Sequence, residues 1–89
     1  MKEKTYTITA DTGVHARPAT LLVHQASQYK SDIEITYREK SVNLKSIMGV
    51  MSLGIPKGAQ VTITADGEDE DEAIQGISEV MEEHLGDSE

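Results

Sequence analysis

The chain has 89 residues, 27% of them charged, and a formal net charge of −8. This length predicts one domain over residues 1–89 with a modest core, and excludes a separate substrate domain with a deep cleft. The absence of cysteine excludes disulfides, thiol catalysis and cysteine-ligated metals. The first residues lack the apolar segment of a signal peptide, and no apolar run approaches the roughly 20 residues that span a bilayer. We therefore expect a cytoplasmic protein without membrane insertion.

The charge is divided unevenly along the chain. Residues 1–65 contain 8 basic and 5 acidic residues, whereas residues 66–89 contain 11 acidic residues and no lysine or arginine. The acidic balance argues against direct nucleic-acid binding. The basic part is suited to an acidic protein surface or a phosphorylated small molecule. We expect this partner face to lie near Arg17, Lys45 and Ser46, and the last helix to face away from it.

Apolar periodicity predicts the elements in chain order. Alternation predicts strands at residues 5–10, at 32–37, through Val42 and Leu44, and at 60–65. Helical spacing predicts a first helix over about 16–29, a short helix capped by Ser46 and stopped by Gly54, and a last helix over about 69–84. The turn at residues 38–40 lacks the Gly or Asn that tight turns prefer. Residues 86–89 are expected to fray.

The predicted order is β-α-β-β-α-β-α, and each strand has one apolar face. A strand with one apolar face belongs in an antiparallel sheet that is covered on one side and open to water on the other. The predicted fold class is therefore α+β. It is a two-layer open-faced sandwich, with a four-stranded antiparallel sheet and three helices on one face.

A histidine and an arginine lie where the first strand gives way to the first helix. Pro18 marks the helix start, because its ring fixes φ near the helical value and it lacks the N–H that the first turn leaves unpaired. His15 and Arg17 thus lie at or just before a helix N-terminus, which favours anions. The pattern suggests reversible phosphorylation of His15, with Arg17 offering a fork to the phosphate. The alternatives are an incidental loop histidine and a solvated or ion-paired arginine.

The second helix carries more apolar residues than its length can bury. We expect about half of them to pack into the core and Ile47, Met48 and Met51 to form an exposed docking patch, where flexible methionines adapt to several partners. The positions of Leu44 and Leu53 stay open. Ser46 is a good N-cap, worth about 1 kcal/mol, and a phosphate at a helix N-terminus is electrostatically favourable.

The remaining histidines and the acidic run predict no metal site. His24 and His84 are assigned no catalytic role, because no pair of histidines has useful ligand spacing. The acidic residues between Asp66 and Glu72 lack the alternating ligands and closing glutamate of an EF-hand, so they predict a solvated helix start. We expect neither a cofactor nor a metal.

Two motifs together resemble a known family. Residues 13–19, Gly-Val-His-Ala-Arg-Pro-Ala, resemble the active-site signature of HPr, the histidine-containing phosphocarrier of the bacterial phosphoenolpyruvate–sugar phosphotransferase system. Residues 43–54, Asn-Leu-Lys-Ser-Ile-Met-Gly-Val-Met-Ser-Leu-Gly, resemble its regulatory serine region in low-GC Gram-positive bacteria. The predicted element order agrees, and the resemblance covers essentially the whole chain.

The resemblance implies a role for each matching residue. His15 would be phosphorylated on Nδ1 by phospho-enzyme I and pass the group to the A domains of sugar permeases. Arg17 would stabilise the phosphate, with support from Thr12 and Ala16. Ser46 would be the site of the ATP-dependent HPr kinase/phosphorylase, and the phosphoserine form would bind the catabolite control repressor as its corepressor. We expect a monomer.

The chain departs from the family pattern at three places, and two other hypotheses stay open. Thr12 stands where relatives commonly have Ser or Asn, the turn at 38–40 lacks glycine, and the last helix is unusually acidic. One alternative is a regulatory binding module whose main output is the complex of phosphorylated Ser46 with a repressor. A paralogous group lacks the histidine, so the presence of His15 disfavours a purely regulatory role. The other alternative is an unrelated small α+β scaffold.

Overall fold

The computed structural model describes residues 1–14 and 16–88 of the chain. Within them lie five strands and three helices. In chain order they are β1 Lys2–Ile8, α1 Ala16–Ala26, β2 Asp32–Tyr37, β3 Lys40–Asn43, α2 Ile47–Ser52, β4 Gln60–Asp66, α3 Glu70–His84 and β5 Gly86–Ser88. Helix α1 packs against both α2 and α3, and α3 packs against β1 and β4.

The strands form one antiparallel sheet in the order β3-β2-β4-β1-β5. Successive side chains alternate between its two faces. One face is buried under the helices and carries Tyr6, Ile8, Ile33, Ile35, Val61, Ile63 and Ala65. The other face carries half-exposed polar side chains such as Thr62, whose hydroxyl hydrogen-bonds that of Thr5 at 3.1 Å. This confirms the open-faced α+β sandwich with its helices on one side.

The prediction of a four-stranded sheet is wrong, because the C-terminal residues add a fifth strand. Gly86 pairs with Ile8 and Ser88 pairs with Tyr6, so residues 86–88 of the segment expected to fray lie along the edge of β1, while Glu89 lies outside the described residues. Buried Leu85 fixes its start, and the Leu85 carbonyl accepts the N–H groups of Thr9 and Ala10. The Gly-Asp-Ser sequence has no apolar alternation to signal this strand, which is held by backbone pairing.

Three predicted boundaries also differ from the structure. Helix α1 ends at Ala26 and continues as turns, in which the Tyr29 N–H donates to the Ala26 carbonyl at 3.2 Å. Strand β1 lies earlier than predicted, because residues 9 and 10 are bonded to Leu85 instead. Strand β3 begins directly after the turn, where Arg38 adopts a φ of 59°. Arginine in this left-handed region replaces the glycine or asparagine usual there.

Helix α3 follows its predicted apolar stripe. Ala73, Ile77 and Met81 are fully buried, whereas Ile74 and Val80 are only half-buried at its margin. The stripe also buries one polar contact, a hydrogen bond between the hydroxyls of Tyr6 and Ser78. Burial raises the pKa of the Tyr6 phenol, which therefore stays neutral and able to donate. None of the helices in the described part of the chain is long and apolar enough to cross a membrane.

Candidate functional site

The loop before α1 is pinned against the segment that follows α2. Gly13 has a φ of 69° and donates its N–H to the Ala10 carbonyl at 2.9 Å, while Val14 donates to the Ile55 carbonyl at 2.9 Å. A Cβ at Gly13 would lie 2.2 Å from the Ile55 oxygen, so only glycine allows this close approach. The loop therefore has a fixed position relative to the C-terminal end of α2.

The predicted phosphate site begins where this loop enters α1. His15 lies outside the described residues. Thr12, Ala16 and Arg17 are exposed around the helix start, and Pro18 is buried beneath it. No carboxylate of residues 1–14 or 16–88 lies within ion-pair distance of Arg17, so its guanidinium is available to an anion. The N-terminus of α1 lies in the same region. Its unpaired first-turn N–H groups and the positive end of the helix dipole also favour an anion there.

Ser46 caps the other helix of the site. Its backbone is extended, with φ −114° and ψ 115°, and its hydroxyl accepts the Gly49 N–H at 3.1 Å. The capping role predicted for Ser46 is therefore confirmed. The side chain is half-buried, and phosphorylation at this position stays a prediction.

Lys45 ties the start of α2 to the end of α1. Its Nζ donates to the Tyr29 carbonyl at 2.8 Å, and its N–H donates to Asn43 Oδ1 at 2.9 Å. Together with the Val14–Ile55 bond, this contact shows that the two helices run in opposite senses. Ile55, which follows α2, contacts the loop before α1, so Ser46 lies at the opposite end of α2 from that loop.

The apolar residues of α2 and of the segments that flank it divide between the core and the surface. Val50 is 1% exposed and Leu44 is fully buried, whereas Leu53 is half-buried against the core. Ile47, Met48 and Met51 are 43%, 84% and 39% exposed. We call these three exposed residues the α2 patch. Their exposure is as predicted, and a docking role for them stays a prediction.

The acidic residues that follow β4 form hydrogen bonds and an ion pair within the protein. The Asp69 carboxylate accepts hydrogen bonds from the Ser31 hydroxyl and from the N–H groups of Lys30 and Ser31, which hold its pKa below the usual range. Glu70 accepts the Gly67 N–H, which lowers its pKa, and pairs with the N-terminal ammonium at 3.2 Å. This segment is thus partly a structural clamp instead of the solvated helix start expected. The described residues contain no cluster of metal-binding side chains.

Sequence reasoning missed two residues beside Arg17. Leu21 is 39% exposed, although it lies on the first helix. His84, at the end of α3, lines a crevice with Arg17, Pro18 and Leu21. The expectation that the last helix faces away from the Arg17 region is therefore wrong for its final residue. Leu21 falls outside the buried stripe of α1 and was detectable from spacing, whereas the position of His84 depends on how α1 and α3 pack.

Comparison with known proteins gives consistent matches. A family model described as PTS HPr component phosphorylation site matches residues 2–83. The chain is similar to the histidine-containing phosphocarrier protein of Mycoplasma, with 46% identity over 92% of this chain and 93% of that chain, and a TM-score of 0.90. It is also similar to HPr-C-His from Thermoanaerobacter tengcongensis, with 49% identity over 92% of each chain and a TM-score of 0.88.

A third similar structure is that of a catabolite repression protein. Crh of Bacillus subtilis, described as a swapped dimer, shares 44% identity with this chain. The match covers 83% of this chain and 85% of that chain, with a TM-score of 0.75. The likeness therefore extends to a protein described by its part in catabolite repression.

Proposed function

Because this chain belongs to the HPr family of phosphocarrier proteins of the phosphotransferase system, we propose that His15 is its phosphorylation site. In this proposal His15 accepts a phosphoryl group from phospho-enzyme I and donates it to the A domains of sugar permeases. The family consists of carriers and not of enzymes. The match of the phosphorylation-site model over residues 2–83 is the observation that carries the proposal.

The described residues support this chemistry around His15. Transfer requires a neutral imidazole to attack phosphorus in line, and most of the catalysis comes from positioning and charge neutralisation. Arg17 is exposed without a carboxylate partner in the described part of the chain, so it is free to pair with the phosphate. The Thr12 hydroxyl and the Ala16 N–H are the supporting donors. An exposed site suits a carrier, because the next acceptor must reach the same phosphate.

We also propose that Ser46 is a regulatory phosphorylation site. A phosphate added there by HPr kinase/phosphorylase adds about two negative charges at the start of α2, beside the α2 patch. Because Ser46 and the loop before α1 lie at opposite ends of α2, the effect falls first on partner docking at the α2 patch. The phosphoserine form would then bind the catabolite control repressor through this surface.

Incubation with enzyme I and phosphoenolpyruvate tests the carrier role. The wild type should gain one acid-labile phosphate, and His15→Ala should gain none. His24→Ala is the matched control, because His24 is an exposed histidine on α1, and it should be labelled like the wild type. Labelling of His15→Ala would overturn the assignment.

A regulatory binding module is the second candidate function. The similarity to Crh, whose described role is in catabolite repression, favours it. It predicts acid-stable phosphate on Ser46 and repressor binding that depends on that phosphate. If phosphorylation of Ser46 leaves repressor affinity unchanged, this role is refuted while the carrier role stands.

We propose that residues 1–89 act as one HPr-like domain, as a cytoplasmic monomer that needs neither a metal nor a cofactor and neither binds nucleic acid directly nor inserts into a membrane. The similar Crh structure is a swapped dimer, so sedimentation equilibrium of the purified chain is the appropriate check. A concentration-independent dimer would contradict the monomer.

A further inference from the structure

Strand β1 pairs with β4 along one edge and with β5 along part of the other. At its end, Ile8 donates its N–H to the Ala59 carbonyl, just before β4, at 2.8 Å, whereas Thr9 donates to the Leu85 carbonyl, just before β5, at 2.8 Å. Backbone polar groups alternate between the two edges along an antiparallel strand. Three residues of β1 therefore direct their N–H and carbonyl groups away from β4, namely Glu3, Thr5 and Thr7.

Strand β5 covers only the last part of this outer edge. Its pairing with β1 extends over Tyr6–Ile8, with Asp87 opposite Thr7. Gly86 lies so close to β1 that a Cβ there would overlap the Thr7 carbonyl oxygen. Residues 2–5 of β1 have no strand on this side within the described part of the chain. An edge of this kind is a template for pairing with another strand.

The charges of β1 determine how its outer edge can pair with that of a second copy. Two copies related by a twofold axis bring their strands together antiparallel, with one residue opposite its own counterpart. With Thr5 at the centre, Glu3 faces Thr7 and no like charges are opposed. With Glu3 or Lys4 at the centre, that residue faces its own charge, which is unfavourable. The favourable register needs the backbone of Thr7, and Asp87 holds that position in the single chain.

We propose that the outer edge of β1 is a self-association surface for a second copy of this chain, joined by antiparallel pairing of the two β1 strands, and that β5 occupies this surface in the monomer. Strand β5 follows α3 directly through the buried Leu85. Such short tethering gives β5 an effective concentration at the edge in the millimolar range or above. A second copy therefore cannot displace it at lower concentrations. The inference is independent of the proposed carrier function.

Full-length variants that release β5 test the proposal. Asp87→Pro removes the N–H that faces Thr7, and Gly86→Val places a side chain against the Thr7 carbonyl. Both should form dimers in sedimentation equilibrium at about 0.1 to 0.5 mM chain, below the effective concentration of β5. Ser88→Pro is the matched control, because Ser88 lies opposite Tyr6 and its N–H points away from β1. This variant and the wild type should stay monomeric.

Salt should strengthen the dimer. Directly opposed residues of two paired strands lie on the same side of the sheet, so both copies place α3 on one face of the joined sheet. The first turn of α3 contains Glu70, Asp71 and Glu72, and further exposed carboxylates follow along the helix. The two helices repel each other, and about 0.5 M salt screens this repulsion. A dimer that dissociates on addition of salt would contradict pairing through β1.

A second substitution distinguishes edge pairing from exchange of whole β1 strands between copies. The Thr5 N–H points away from β4, so Thr5→Pro leaves the bonds to β4 in place and blocks pairing of the two β1 edges. Asp87→Pro combined with Thr5→Pro should therefore be monomeric. A dimer that persists in this double variant overturns the proposal, since strand exchange does not use the outer edge. Monomeric Asp87→Pro and Gly86→Val variants that are folded by thermal unfolding overturn it as well.

Discussion

The ammonium group of Lys45 donates a hydrogen bond to the carbonyl oxygen of Tyr29 at 2.8 Å, joining the start of α2 to the turn that ends α1. The side chain of Lys45 is half-buried, so this charge-assisted bond is shielded from water on one side. It holds the end of α1 against the start of α2, next to Ser46, for which a regulatory role is proposed.

Lys45→Met should destabilise the fold by about 1 kcal/mol, because it keeps the aliphatic stem and leaves the Tyr29 carbonyl without its charged donor. Urea unfolding measures the change. Lys40→Met is the control, since Lys40 is exposed and its replacement should change the free energy of unfolding by less than about 0.5 kcal/mol. Equal losses in the two variants would show that the Tyr29 contact contributes nothing specific.

Gly13→Ala should be far more disruptive than an alanine at Gly54. Both glycines are in the left-handed region, with φ values of 69° and 59°. A Cβ at Gly13 meets the Ile55 oxygen at 2.2 Å, whereas one at Gly54 meets nothing within 4 Å. We expect a loss of about 1 kcal/mol for Gly54→Ala and about 3 kcal/mol or more for Gly13→Ala in urea unfolding.

Gly54→Ala introduces backbone strain alone, whereas Gly13→Ala adds steric overlap with Ile55. The difference between their free energies of unfolding therefore measures the overlap. Gly13→Ala should also slow phosphorylation by phospho-enzyme I, since the loop that leads to His15 must move away from Ile55. Equal free energies of unfolding for the two variants would show that the loop moves away from Ile55 at no cost in stability.

Ser46→Ala should lower the free energy of unfolding by about 1 kcal/mol, because the Gly49 N–H loses its acceptor. Ser46→Asp keeps a capping oxygen and should stay within about 0.5 kcal/mol of the wild type. Ser52→Ala, at the exposed end of the same helix, is the control and should change stability by less than about 0.5 kcal/mol. If Ser46→Asp were destabilised as much as Ser46→Ala, the cap would not tolerate an added negative charge.

Asp69 should contribute stability that disappears in acid. Hydrogen bonds from the Ser31 hydroxyl and the Lys30 N–H stabilise its ionised form, so its pKa in the folded protein is below the ordinary value of 3.8. A depressed folded pKa gives stability that is present above the unfolded pKa and is lost as the pH falls through the folded pKa. The stability difference between wild type and Asp69→Asn should therefore shrink from about pH 5 to about pH 2.

Urea unfolding at several pH values measures this difference. Glu72→Gln provides the control, because Glu72 is an exposed carboxylate in the first turn of the same helix. Its difference from the wild type should vary less with pH than that of Asp69→Asn. A constant gap between wild type and Asp69→Asn down to acid pH would contradict the clamp between Asp69 and Ser31.

Most of the fold follows from local patterns in the chain. Alternation at Ile33 and Ile35 and the stripe through Ile77 and Met81 show which face of each element is apolar, and burial of those faces produces the sandwich. The short motif around Arg17 and the excess of apolar residues beside Ser46 likewise locate the candidate site. These features are readable because each depends on neighbours a few positions apart.

The remaining features of the fold and the site depend on contacts between segments that are distant in the chain. The strand at Gly86–Ser88 has no apolar signal and exists because the edge of β1 offers unpaired backbone groups. Leu21 and His84 become part of one crevice with Arg17 only when α3 packs on α1. Periodicity indicates which face of a helix turns inward, but helix packing sets which residue of another helix lies beside it, and that geometry is absent from any local stretch of residues.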